Sequence, residues 1–268
     1  MRKASYLFFL FFLTSANFFA QTVFWQEDFG TGCNQGQLLT AYSGTNGAWA
    51  LGITGTNGAE KNEFFVSATE NGNAAGTCGS GCGLNRTLHI GADDGFFTDP
   101  GAAYNAGGGC GFLFCVATDI RAESPTINCT GRSNITLSFN YIEFGDGTND
   151  NATLWYFNGA TWSQLVDLPK TTCCGGPCNG SLQARWTKYT IALPASANNN
   201  ANVKIGYRWV NNDDGVGTDP SFAVDSIQLI VPTSGPVPVA NFSASDSPLC
   251  VAQCINFTDL STNTPTSW

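Results

Sequence analysis

FAVDSIQLIV, residues 222–231, reads as the closing strand of a β-sandwich with a carboxylate set inside it. Ala223, Asp225, Ile227 and Leu229 share one phase of a period-two alternation, so Asp225 is expected to point the same way as its apolar neighbours. A buried, unpaired carboxylate is costly, and Asp225 therefore needs a cation, a donor cluster or a shared proton beside it. In VFWQEDF (23–29), Val23, Trp25, Glu27 and Phe29 share one phase, which makes Glu27 a second carboxylate on an apolar face. If the end strands are neighbours, the two acids meet at a sheet edge. A divalent cation then relieves their repulsion, and calcium suits hard oxygen ligands. The other reading is a one-residue bulge that turns either side chain to solvent.

Working outward, residues 21–231 show short alternating runs separated by Gly, Asn, Asp and Pro, with no sustained apolar spacing at three and four residues. Candidate strands are 23–29, 49–53, 64–68, 87–90, 112–118, 135–143, 152–157, 186–193, 203–210 and 222–231. Ile135, Leu137, Phe139 and Tyr141 line one face of their strand, and Val203, Ile205, Tyr207 and Trp209 line one face of theirs. About 200 residues in this many strands fit an all-β jelly-roll sandwich of two sheets better than a seven-stranded immunoglobulin-type domain.

Arg2 and Lys3 precede an apolar run at 6–13, and small residues follow up to Ala20. Residues 1–20 read as a secretory signal peptide, and no later stretch predicts a transmembrane segment in the mature chain. Export accounts for the 11 cysteines as disulfides, in loop spacings such as Cys78-x3-Cys82 and Cys110-x4-Cys115. With one histidine in the chain, a mixed Cys/His zinc site has almost nothing to work with. A net charge of −9 argues against a nucleic-acid or anionic-membrane partner. PTSGPVP (232–238) breaks the pattern as a semi-rigid linker, and a new domain is expected over 239–268.

Two loops share the pattern D-D-G-x-x-T-D-P. One holds Asp93, Asp94 and Asp99, the other Asp213, Asp214 and Asp219. Three carboxylates within seven residues and a turn glycine suit a cation-wrapping loop. Asp-Gly and Asp-Pro are also ordinary turn dipeptides, so the loops equally read as similar hairpins. Glu143 continues the apolar phase of its strand and is a candidate for gripping a polar ligand on a concave face. Trp155 and Trp162 are candidates for stacking on sugar rings, with core packing as the competing role. His89 falls in the opposite phase to Leu88 and Ile90, which predicts a rim position. Nothing singles out a nucleophile near it, so catalysis is not expected.

VANFSA (239–244), SPLC (247–250), INFTDLSTN (255–263) and PTSW (265–268) together resemble the opening half of a PKD-type domain. That resemblance implies the first part of an immunoglobulin-like sandwich, cut off at Trp268. Glu27-Asp28-Phe29, ITLSFNY (135–141), Trp162, Trp186, Leu193-Pro194 and FAVDSI (222–227) resemble the jelly-roll modules of MAM and cleaved-adhesin type. Those families imply a concanavalin-like sandwich for adhesion or glycan contact, with calcium near the first and last strands. They often carry two adjacent acids where this chain has Asp225-Ser226. The expectation is a secreted or cell-surface, non-catalytic module with structural calcium and an extracellular glycan or protein as partner. The rival is an accessory module of a larger secreted hydrolase.

Overall fold

Alternating apolar and polar residues are realised as two facing antiparallel sheets, seen here in a computed structural model that describes residues 21–70, 83–92, 99–110, 114–171, 185–233, 239, 241–244 and 256–262. The expected signal peptide at 1–20, Asp93 and Asp94, and residues 234–238 of the expected linker lie outside these. In chain order the strands are β1 (Gln21–Glu27), β2 (Ser43–Gly44), β3 (Gly47–Ala48), β4 (Ala50–Ile53), β5 (Glu63–Ser67), β6 (Thr87–Gly91), β7 (Thr118–Glu123) and β8 (Thr136–Gly145). They continue with β9 (Asn151–Phe157), β10 (Trp162–Asp167), β11 (Thr187–Ala192), β12 (Lys204–Asn211), β13 (Thr218–Pro232), β14 (Phe242–Ala244) and β15 (Phe257–Asp259).

One sheet runs β11-β8-β13-β6-β5, with β1 also paired to β13; the other runs β10-β9-β12-β7-β4. The core lies between them. Leu137, Phe139 and Tyr141 of β8 meet Ile205, Tyr207 and Trp209 of β12, with the Phe139 and Tyr207 ring centroids 5.3 Å apart. Burying each such side chain contributes about 1.5–3 kcal/mol, which explains why the inward positions hold their alternation so strictly. The expected strand at 112–118 forms instead at β7, and β10 was not anticipated.

The closing strand departs from simple alternation. Along the β13–β8 pair, Asp225 stands opposite Asn140 and Gln228 opposite Ser138, so three steps on β13 match two on β8. The extra residue is absorbed at Ser226, whose φ is 54°. The bulge reverses the strand's phase. Phe222 and Val224 before it and Ile227 and Leu229 after it all enter the core, whereas Ala223 joins Ala102 and Ile142 on the other side of the sheet. Asp225 therefore shares the face of Ala223, not that of Ile227 and Leu229.

That outer face is itself covered near β6. His89 is 0% exposed, which corrects the expected rim position. The stretch from Asp99 to Ala103 lies over it, with Ala92 N–H donating to the Ala103 carbonyl and Ser221 N–H to that of Ala102. Cys110 and Cys115 form a disulfide, Cys33 is also disulfide-bonded, and Cys129 is a free thiol with no exposure. Burial pushes the Cys129 thiol up to about 11 against the pull of Arg132.

Residues 23–231 form one compact unit, and the described residues from Val239 onward belong to another. In that second unit β14 pairs antiparallel with β15, Phe242 opposite Asp259 and Ala244 opposite Phe257. Phe242 and Phe257 are both exposed, with their rings 5.6 Å apart.

Candidate recognition face

The outward face of the five-stranded sheet gathers the side chains suited to a ligand. On β9, Ala152, Leu154 and Tyr156 point inward, which turns Thr153, Trp155 and Phe157 outward. On β12 the outward set is Lys204, Gly206, Arg208 and Val210, and on β7 it is Asp119, Arg121 and Glu123. Trp162 of the edge strand β10 is half-buried and lies across the sheet. A Cβ at Gly206 would sit 2.8 Å from Trp162 Cζ3 and 2.8 Å from Arg121 Cδ, so the glycine lets both side chains lie flat. The Arg121 guanidinium rests 4.0 Å from the Trp162 ring centroid and 5.6 Å from that of Trp155. Its Nη2 donates to Glu123 Oε1 at 2.7 Å.

Beside this aromatic layer a cleft of about 570 Å³ opens among the loops at one end of the sheet. Thr56, Asp119, Thr148, Asn149, Arg208 and Asn212 are among its walls. Arg208 grips Asp119 with two hydrogen bonds, Nε to Oδ1 at 2.7 Å and Nη2 to Oδ2 at 2.6 Å, and its Cζ lies 5.7 Å from the Trp155 ring. Thr54 adds a hydroxyl donor to the same carboxylate. Burial pushes the Asp119 carboxyl up, but Arg208, the Thr54 hydroxyl and the charge of Arg121 outweigh it and hold the group below the usual aspartate range. The chemistry on offer is a planar aromatic surface next to paired donors and acceptors. Sequence reasoning reached Trp155 and Trp162 but missed Asp119, Arg121, Arg208, Asn149 and Asn212. The signal for β7 was present, since Asp119, Arg121 and Glu123 alternate with Ile120 and Ala122.

The acids expected to bind metal are otherwise engaged. Glu27 is 4% exposed and accepts from Phe29 N–H at 3.0 Å, Tyr42 Oη–H at 2.9 Å and Trp49 Nε1–H at 3.2 Å. A Cβ at Gly44 would approach its Oε2 to 2.5 Å, so only glycine leaves room for the carboxylate there. This donor cluster is one of the remedies a buried acid needs, and it faces the core. Asp225 accepts from Ser226 N–H at 2.6 Å and from Asn85 Nδ2 at 2.7 Å on the opposite face of the sheet. Burial pushes its carboxyl up to about 6, eased by those two donors, with Asp28 adding repulsion. Glu27 and Asp225 thus do not form the expected pair, because the Ser226 bulge separates them onto two faces. The acid beside Asp225 is Asp28, which follows Glu27 in the alternate phase.

In the acidic loops, the described carboxylates serve as acceptors. Asp99 takes His89 Nε2 at 2.8 Å, the Ser67 hydroxyl and Gly101 N–H, while His89 Nδ1 lies 2.9 Å from Thr87 Oγ1. Burial would raise the Asp99 carboxyl, but His89 and these donors hold it well below the usual range. Asp213 Oδ1 accepts from Gly108 N–H, Asp214 from Val216 N–H and Asp219 from Tyr104 N–H. Asp93 and Asp94 lie outside the described residues. Among the described residues, the group of three His, Cys, Asp or Glu ligand atoms lying within 4.8 Å of one another is Cys110, Cys115 and Asp213, and its two sulfurs are joined as a disulfide. Glu143 is 0% exposed, paired with Lys170 and accepting from Ala152 N–H at 3.1 Å. Sealed in the core, it offers no access to a ligand.

Fold and face together define the class: a two-sheet, all-β sandwich with an aromatic and polar surface on one sheet. No protein-family model matches the chain, and no curated protein does. Solved structures similar to it include the K1 cleaved adhesin domain of Lys-gingipain from Porphyromonas gingivalis W83, at 12% identity and a TM-score of 0.35, covering 72% of this chain and 95% of that one. A family 35 carbohydrate-binding module from an environmental isolate matches at 17% identity and a TM-score of 0.27, covering 70% and 99%. An arabinose-bound α-L-arabinofuranosidase matches at 10% identity and a TM-score of 0.33, covering 76% of this chain and 26% of that one.

Proposed function

We propose that the sandwich is a non-catalytic recognition module, exported from the cell, that binds an extracellular glycan or protein through the outward face of the five-stranded sheet. The observation that carries this reading is the cleft walled by Asp119, Arg208, Asn149 and Asn212, whose Arg208 guanidinium lies 5.7 Å from the ring of half-buried Trp155. An aromatic face next to hydrogen-bonding polar groups is the combination that holds a sugar ring or an amphipathic protein surface. The same face would serve an adhesin or an accessory module of a larger hydrolase. The test is a glycan array and a cell-binding assay with the parent protein, Trp155→Ala and Asn149→Ala. Both variants should bind at least about tenfold more weakly while keeping the parental melting temperature. Unchanged binding by both would remove this face from consideration.

Structural calcium is a second proposal, centred on Asp225. Its carboxylate, the Asn85 amide that donates to it and Asp28, whose charge acts on it, offer hard oxygen donors that backbone carbonyls and water would have to complete. Millimolar calcium should raise the melting temperature of the parent relative to chelator, and Asp225→Asn should abolish the difference. A parent protein indifferent to calcium ends this proposal.

A further inference from the structure

We infer that the cleft around Asp119 and Arg208 takes a neutral, hydroxyl-rich sugar and rejects acidic ones. The inference rests on the reading of this face as a glycan site and names the class of sugar. An acidic sugar is held by a cation that has charge to spare. Both guanidinium groups on this face are already spoken for: Arg208 is doubly hydrogen-bonded to Asp119, and Arg121 is ion-paired with Glu123 while stacked on Trp162. The next cation outward on β12, Lys204, is four residues from Arg208, about 13 Å along the strand and beside Phe157 instead of the cleft.

The rim adds charge of the wrong sign for an anion. Asn149 sits between Asp146 and Asp150, and its Nδ2 donates to Asp146 Oδ2 at 3.3 Å. Asn212 precedes Asp213 and Asp214 and donates to Asp214 Oδ2 at 2.8 Å. The chain as a whole carries −9. A neutral sugar meets none of this opposition. Adjacent hydroxyls each donate and accept, and the Asp119–Arg208 pair presents acceptor and donor side by side, with the amides of Asn149 and Asn212 also in the cleft wall. Val210 gives the cleft an apolar wall for the ring's C–H face, and the Trp155 ring lies 5.7 Å from the Arg208 Cζ.

The experiment uses the whole chain on an array of galactose-, mannose- and glucose-terminated glycans together with sialylated, uronate-containing and sulfated ones, followed by calorimetry at about 50 and about 500 mM salt. Binding confined to neutral members, with a Kd that changes less than about twofold across that salt range, is the expected result. Preference for an acidic glycan, or loss of about tenfold or more in affinity at high salt, overturns the inference and leaves the glycan reading standing. Binding to no glycan overturns both. Asp119→Asn, which releases Arg208, should gain affinity for the acidic members. Should that variant fail to fold, Thr56→Lys places an added cation on the exposed wall of the cleft and carries the same expectation. A folded variant of this kind with no gain for acidic glycans counts against the inference.

Discussion

Glu143 shows how a single buried charge sets a pH dependence. Burial pushes its carboxyl from the ordinary value near 4.5 up to about 8, against the pull of Lys170, and its Oε2 has no hydrogen-bond partner among the described residues. The folded protein then keeps a proton that the unfolded chain releases. This contribution to stability is whole below about pH 4.5 and is lost as pH rises toward 8, by roughly 1 kcal/mol per unit. Glu143→Gln keeps an acceptor for Lys170 and Ala152 and removes the titration. Urea midpoints measured from pH 5 to 9 should therefore fall for the parent and stay nearly level for the variant; parallel slopes would refute the assignment.

At the scale of the element, β13 carries one extra residue. Deleting Ser226 would leave Phe222, Val224, Ile227 and Leu229 on one unbroken alternation, whereas inserting a second residue beside it would carry Ile227 and Leu229 from the core to the opposite face, and losing each costs about 2–5 kcal/mol. The sum is comparable to the whole stability of a domain, about 5–15 kcal/mol. The insertion variant should show no cooperative melting by circular dichroism, whereas Ser226→Gly, which keeps the count and accepts positive φ, should melt near the parent. An insertion variant that melts like the parent would show that the residue count at the bulge does not set the phase of the strand. The alternation in 222–231 announced a strand and a buried acid, but not which face the acid takes, because a bulge leaves no mark on composition. Strand β7 was misplaced for a related reason. The apolar residues around Phe114 drew the strand toward them, while the true strand alternates Asp119, Arg121 and Glu123 with small or branched apolar partners. Strand β10 is half-exposed and irregular between Gln164 and Val166, so its alternation is broken at the outset.

For the molecule as a whole, the two-sheet fold was legible because inward positions on β8 and β12 are apolar without exception up to Trp209 and Tyr141. The recognition face was only half legible. Trp155 and Trp162 stand out by type, but Asp119 and Arg208 come together from strands far apart in the chain, and Asn149 and Asn212 sit in loops whose meeting no local pattern records. The repeated acidic pattern was the converse case, a clear local signal. Its described members are spent on backbone N–H groups and on His89 instead of converging on one point.

A free thiol in a chain that carries disulfides also has a meaning for how the chain matures, because an accessible thiolate attacks existing disulfides and scrambles them. Cys129 is fully buried and its thiol is held in the unreactive protonated form. Closure of the sandwich around Cys129 therefore acts as a ratchet on oxidative folding: until the sheets meet, this sulfur can take part in reshuffling, and afterwards it is withdrawn from the exchange.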